Sequence, residues 1–252
     1  MKDLLDLTGK TYIITGAASG IGKASALTIS AHGARLILVD INEGNLKEVS
    51  SNCLSEVYPL TLDLTDAELI NTKIKEATRE FGKVHGFVHC AGMPYIAPLA
   101  AINANKAAKL QQLNTYAAIE LAKVCSSKLC FAGEQGSIVL ISSVYGIVGS
   151  SANVVYAMSK GGIISITKAL AIELVSKGIR VNCIAPGFIK TPMMRDVAGS
   201  MDSEYFERLN SLHPMGLGEV SDIANGILFL LSDMSKWMTG SVLNIDGGFT
   251  AQ

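Results

Sequence analysis

Apolar residues in this chain fall into short unbroken runs, separated by glycine-rich or polar turns and by longer stretches with helical character. The first run, residues 10–15 (KTYIIT), is β-branched and short, and a glycine loop and a helical pattern to about residue 32 follow it. Further short apolar runs lie at 35–40, 57–62, 84–90, 137–141, 179–184 and 241–245. Between them, 42–54, 65–81, 106–131, 154–175 and 221–231 have the length and pattern of helices. Thr65-Asp66-Ala67-Glu68 reads as a capping box with Thr65 at the N-cap, and Gly82 reads as the stop of that helix. The strands are continuous apolar runs rather than alternating ones, so both faces of their sheet are expected to be covered. Strands that alternate with helices, joined by right-handed crossovers, give an α/β fold: one Rossmann-like, doubly wound parallel sheet of about seven strands flanked by helices on both faces. The whole of 1–252 is expected to form a single domain, and the loops at the carboxyl ends of the strands are expected to share one cleft.

Composition narrows the class. Hydrophobic residues make up 49% and charged residues 17%, which suits a globular protein with a large core. The net charge of −1 gives no electrostatic case for nucleic acid or an anionic membrane. The uncharged stretches carry Gly, Ser or Asn and fit buried elements better than membrane spans, and the N-terminus lacks the apolar segment of a signal peptide. Five cysteines without a CxxC suggest reduced thiols in a cytoplasmic protein, and the four histidines form no metal-binding pattern.

Two stretches carry candidate chemistry. After the first strand comes Thr15-Gly16-Ala17-Ala18-Ser19-Gly20-Ile21-Gly22, a GxxxGxG turn opening a helix. Such a turn lets a pyrophosphate approach the backbone at the positive end of the helix. Asp40 ends the second strand eighteen residues beyond Gly22, where an acid would grip adenosine ribose hydroxyls. A 2′-phosphate would bring a charge of roughly −1.5 to −2 against that carboxylate. Positions 17–19 and 41–42 offer no Arg or Lys to offset it, so NAD(H) is expected over NADP(H). The second stretch, Tyr156-Ala157-Met158-Ser159-Lys160, stacks a tyrosine and a lysine on one face of an apolar helix. On its own this pair reads first as a core tyrosine beside a snorkelling lysine, and only the rest of the chain favours chemistry.

With these elements in place the chain resembles the short-chain dehydrogenase/reductase family over essentially its full length. The resemblance rests on TGAASGIG at 15–22, Asp63 at the end of the third strand, Asn114 in the long helix, and Ser143 thirteen residues before Tyr156 and Lys160. Asn182-Cys183-Ile184-Ala185-Pro186-Gly187 and the late Thr239-Gly240 and Asp246-Gly247-Gly248 add to it. Two departures stand out. His89-Cys90-Ala91-Gly92 occupies the place of the family's usual Asn-Asn-Ala-Gly, with altered hydrogen bonds but not altered chemistry expected. His213-Pro214-Met215-Gly216-Leu217-Gly218-Glu219 is about one residue shorter than the usual form and lacks its Arg.

The resemblance implies a metal-free hydride transfer between a secondary alcohol and a ketone. Tyr156 would be the general acid/base, with its pKa lowered by Lys160 and the oxidised nicotinamide. Lys160 would also hold the nicotinamide ribose, Ser143 would hold the substrate oxygen, and Asn114 would hold a relay water. Gly16, Ser19, Gly20, Ile21 and Gly22 would cradle the pyrophosphate, Asp40 and Ile41 the ribose, and Asp63 and Leu64 the adenine. Cys90, Ala91 and Gly92 would lie beside the cofactor, and Pro186, Gly187, Ile189 and Thr191 on its nicotinamide side. The segment 191–219 would form a substrate lid, with Met193, Met194, Phe206, Arg195 and Arg208 as candidate contacts and Tyr145 beside them. A 3-oxoacyl thioester and a sugar or polyol are the candidate substrates, a catalytically silent dinucleotide sensor is the alternative of another class, and a homo-oligomer, tetramer or dimer, is expected.

Overall fold

Alternate residues of the first strand face opposite sides: Ile13 belongs to one core cluster and Tyr12 and Ile14 to the other, all within 1% of complete burial. In the computed structural model, which describes residues 3–194 and 203–251, this alternation repeats along the central strands. The strands are β1 (Thr11–Thr15), β2 (Arg35–Asp40), β3 (Val57–Thr61), β4 (Gly86–His89), β5 (Gly136–Ile141), β6 (Ile179–Pro186) and β7 (Val242–Ile245). They form one seven-stranded sheet, all parallel, in the order β3-β2-β1-β4-β5-β6-β7. The order reverses between β1 and β4, the switch point at which such sheets bind ligands.

Helices cover both faces. One layer holds α1 (Gly20–Ala31), α2 (Glu43–Asn52) and α8 (Val220–Leu231); the other holds α3 (Ala67–Phe81), α5 (Ala117–Cys125) and α6 (Val154–Leu174). The shorter α4 (Ala104–Gln111) leads into α5, and α7 (Ser203–Ser211) lies in the segment after β6. Among the described residues no helix is long and apolar enough to cross a membrane. The edge strands depart from the expected full burial, since β3 and β7 are mostly half-exposed. Pro59 in β3 fits an edge, where one ladder donor can be lost.

Three local expectations are corrected. The cap of α3 is Asp66, whose carboxylate accepts from the Glu68 and Leu69 N–H groups at 3.0 Å, while Thr65 donates its hydroxyl to Asp63. Asp63 lies two residues beyond the end of β3, outside the ladder. The long helix expected over 106–131 is α4 and α5 joined by a π-helical turn, Gln112–Tyr116, that centres on Asn114.

Candidate active site

The turn after β1 is built by close backbone approach. Gly16 has φ +66°, and a Cβ on Gly22 would collide with the Gly16 carbonyl. The first turn of α1 therefore folds directly over the end of β1, which leaves its N-terminal N–H groups facing the cleft. Asp40 closes this loop from the next strand. Its Oδ2 accepts from the Ala18 N–H at 3.0 Å and its Oδ1 from the Asn42 N–H at 2.9 Å, so the carboxylate is fixed at the cleft wall. A cavity of about 390 Å³ runs from Asp40 and Asp63 past the glycine loop to Cys90, Ala91 and Gly92. Ser19, Ile21, Ile41, Leu64 and Thr191 also line it. Asp63 is anchored by Thr65, whose N–H and hydroxyl hold its carboxyl below the usual carboxylate range.

A second cavity, about 180 Å³, adjoins the first and shares Ile21, Cys90, Gly92 and Thr191 with it. Ser143, Tyr156, Lys160, Pro186, Gly187 and Ile189 line this one. The short 3₁₀ turn Val144–Gly146 after β5 packs so tightly on α6 that a Cβ on Gly146 would lie 2.8 Å from the Lys160 carbonyl. Ser142 donates to that same carbonyl at 2.8 Å. These contacts bring Ser143 against Tyr156, and the two side chains hydrogen-bond.

Burial dominates the electrostatics here. Part of the Tyr156 ring is exposed, but its phenol end is enclosed, and desolvation pushes it up to about 12; the Ser143 bond counters this and Tyr145 adds to it. Lys160, 7% exposed, is pushed by desolvation down to about 8. Its ammonium donates to the Ile141 carbonyl at 2.9 Å and lies 5.7 Å from the centre of the Tyr156 ring. The protein's own groups thus leave the phenol raised; the lowering expected from Lys160 together with the oxidised nicotinamide concerns the cofactor-bound site. The ammonium is engaged by Ile141, and burial of the phenol outweighs what attraction remains.

Asn114 lies behind both cavities rather than in their walls. Its Oδ1 accepts from the Met93 N–H at 2.9 Å, and its Nδ2 donates to the Met93 carbonyl at 3.1 Å and to Ser159 Oγ at 3.2 Å. The side chain therefore clamps the loop after β4 onto α6. His89 does similar work. Its ring stands 2.9 Å from Thr15 Oγ1 and 3.1 Å from the Leu113 carbonyl, and Thr15 Oγ1 accepts the Ala91 N–H. One imidazole ties β1, the Ala91 turn and the π-helical turn together, which accounts for a histidine where the family has an asparagine.

Of the lid candidates, Met193 and Met194 line the second cavity, as does Tyr145. Arg208 is exposed on α7, and Arg195 and the Phe206 side chain lie outside the described residues. Sequence reasoning missed Lys109 and Leu113 on the first cavity and Asn153, Phe188 and Leu209 on the second. Lys109 and Leu113 are one helical turn apart on the α4 face that ends at Asn114, a spacing that could have suggested them. Nothing local marks Phe188 or Leu209. His213 joins these two: its ring accepts from the Phe188 N–H at 3.1 Å and donates to the Leu209 carbonyl at 2.7 Å.

Comparison with known proteins places the chain in a family. The family model described as enoyl-(acyl carrier protein) reductase matches residues 16–250. A 3-oxoacyl-[acyl-carrier-protein] reductase of Thermotoga maritima is 35% identical, over 96% of this chain and 98% of its own. A 2,5-dichloro-2,5-cyclohexadiene-1,4-diol dehydrogenase of Sphingobium indicum is 34% identical over 97% of both chains. A putative NAD(P)-dependent gluconate 5-dehydrogenase of Beutenbergia cavernae, solved with NADP at low occupancy, superposes with a TM-score of 0.92 at 28% identity over 99% of this chain and 100% of its own. The chain belongs to the short-chain dehydrogenase/reductase family, oxidoreductases that interconvert alcohols and ketones with a nicotinamide dinucleotide.

Proposed function

We propose that this protein interconverts a secondary alcohol and a ketone with NAD(H), using Tyr156 as general acid/base. The observation that carries the reading is the meeting of Ser143, Tyr156 and Lys160 in a cavity continuous with the glycine-loop cleft. The cleft fits a dinucleotide: Gly22 leaves no room for a side chain over the Gly16 carbonyl, and the α1 N-terminus faces the space where a pyrophosphate would sit. Gly16, Ser19, Gly20, Ile21 and Gly22 would hold the phosphates, Asp40 and Ile41 the ribose, Asp63 and Leu64 the adenine. Cys90, Ala91, Gly92, Pro186, Gly187, Ile189 and Thr191 would flank the nicotinamide half. When bound, the nicotinamide supplies the hydride acceptor or donor.

The chain's own residues do the rest. In oxidation, Ser143 donates a hydrogen bond to the substrate oxygen and Tyr156 takes its proton; in reduction, Tyr156 returns the proton. Lys160 holds a positive charge near the phenol and would hold the ribose hydroxyls of a bound cofactor. Asn114 positions the Met93 loop, and its main chain in the widened π-helical turn is the group left to hold a relay water. The segment 191–219 would close over the substrate; among its described residues, Met193, Met194 and Leu209 support this, as they line the second cavity.

The preference for NAD rests on Asp40. Two backbone N–H groups hold its carboxylate in place, so a 2′-phosphate would meet a fixed negative charge. One unit pair at about 4 Å costs ~1 kcal/mol in water-like surroundings and ~4 at an effective dielectric of 20; with the roughly −1.5 to −2 charge of a phosphate even the lower figure corresponds to about tenfold or more. Initial rates with both cofactors over a panel of secondary alcohols and ketones test the reading. Turnover lost in Tyr156→Phe, with cofactor binding kept, is expected; unchanged turnover in that variant would refute the assigned acid/base.

A homo-oligomer is part of the same proposal. Tyr116 is exposed in the π-helical turn before α5, Met158 and Ile172 on α6 and Val175 in the turn after it, and Trp237 is 97% exposed near β7. Light scattering at micromolar concentration that gave a monomer mass would count against it.

A further inference from the structure

We infer that the substrate is an uncharged, predominantly apolar secondary alcohol or ketone, without a carboxylate or phosphate. This deepens the reading above and rests on it. Around Ser143 and Tyr156 the cavity lining includes Met93, Pro94, Ile96, Val144, Phe188 and Leu209. Phe188 and Tyr145 meet edge to face at 5.6 Å, which gives this wall a rigid aromatic corner. A ring or a short branched chain fills such a wall by contact alone.

Among the described residues that line the cavity, Lys160 is the one charged side chain, and its ammonium is engaged by the Ile141 carbonyl. The neighbouring basic groups are also committed. The His213 ring accepts the Phe188 N–H through Nε2 and bonds the Leu209 carbonyl through Nδ1, a pattern that needs the neutral ring. Lys190 pairs with Glu219 at 2.5 Å. Arg180 donates to the Leu230 and Ser232 carbonyls, away from the cavity. Arg208 is exposed. Asn153 adds one polar group to the wall. Its Nδ2 donates to Ser150 Oγ and the Ser151 carbonyl, and among the described residues no donor reaches its Oδ1. That oxygen can accept from a hydroxyl of the substrate and would oppose an anion. A buried carboxylate with no cation beside it loses its hydration without a partner.

Arg195 is the one cation in 195–202, the stretch outside the described residues, so the test must include it. The probes are 3-hydroxycyclohexanecarboxylate and its methyl ester, which share a ring and a hydroxyl and differ in charge. Binding of each alcohol to the protein loaded with NADH is measured by calorimetry, where no turnover can occur. The ester is expected to bind on the order of a hundredfold more tightly than the carboxylate. Ile96→Lys, which places an ammonium at the half-exposed rim, is expected to reverse much of that difference. Equal or stronger binding of the carboxylate, or no binding of either, overturns the inference; if Arg195→Ala then abolishes carboxylate binding, that arginine is the missing partner. Oxidation of the ester with NAD is measured in parallel. A binding preference without turnover would count against the proposed chemistry and leave the substrate class standing.

Discussion

His89 offers a stability test whose size follows from its surroundings. The imidazole is 2% exposed and wedged between a hydroxyl and a carbonyl: the Leu113 carbonyl requires an N–H at Nε2, which leaves Nδ1 to accept from Thr15. Protonation would bury a cation and leave Thr15 without its acceptor. Desolvation, with the nearby Lys160 charge adding to it, accordingly pushes the ring down from 6.5 to about 4. Between these values the unfolded chain binds a proton that the folded chain refuses. Stability contributed by the neutral ring is therefore present above pH 6.5 and lost as pH falls toward 4. A shift of that size corresponds to about 3 kcal/mol in full, of which ~2.5 kcal/mol is lost by about pH 4.5. Urea unfolding of the wild type and of His89→Asn at about pH 7 and pH 4.5 isolates this term as a difference of differences. The variant is less stable at neutral pH but loses ~2 kcal/mol less on acidification. Equal acid losses in the two proteins would show that the ring does not resist protonation in the folded state.

Other predictions concern the proposed chemistry. Tyr156→Phe lowers kcat by roughly 10²–10⁴-fold with little change in NADH affinity, as read by steady-state rates and by fluorescence titration. Ser143→Ala lowers kcat by on the order of 10²-fold and, by removing the hydrogen bond that counters desolvation, moves the basic limb of the pH–rate profile for ketone reduction upward. Asp40→Asn raises kcat/KM for NADP relative to NAD by tenfold or more; an unchanged ratio would show that this carboxylate does not set the preference. Gly22→Ala drives a methyl into the Gly16 carbonyl, so the Kd for NADH rises at least tenfold while the fold is retained by circular dichroism.

Much of this architecture was legible because its signals are periodic. The central strands are buried on both faces, so their runs are unbroken, and the glycine turn and the Tyr-Lys pair fall at fixed distances from them. What was misread lay where tertiary contacts override local pattern. Thr65 and Asp66 are both good caps, and Asp63 decided between them by taking the Thr65 hydroxyl. The break between α4 and α5 has no proline or glycine to announce it, since the π-helical turn is held by what its residues touch: Leu113 by His89, and Asn114 by Met93 and Ser159. Phe188 and Leu209 enter the second cavity because His213 ties the loop after β6 to α7, a contact spanning 25 residues that no periodicity records.

The same long-range packing explains why Tyr156 and Lys160, adjacent on one helix face, do not form a self-sufficient acid/base pair. Enclosure drives each toward its neutral form, the phenol up to about 12 and the ammonium down to about 8. At neutral pH the lysine keeps its proton, held by the Ile141 carbonyl, and the tyrosine keeps its own. Only a further positive charge close to the phenol oxygen would bring the tyrosine within reach of neutral pH, and that same charge would press the lysine to lose its proton unless acceptors gathered around its ammonium. On the proposed chemistry, ribose hydroxyls supply those acceptors and the oxidised ring supplies the charge. Alcohol oxidation should then depend on cofactor binding before proton removal, with the free protein unable to ionise Tyr156 at neutral pH. Ultraviolet difference titration of the phenol, wild type against Tyr156→Phe, with and without NAD, reads that coupling directly: a phenolate already present near pH 8 in the free protein would break the argument.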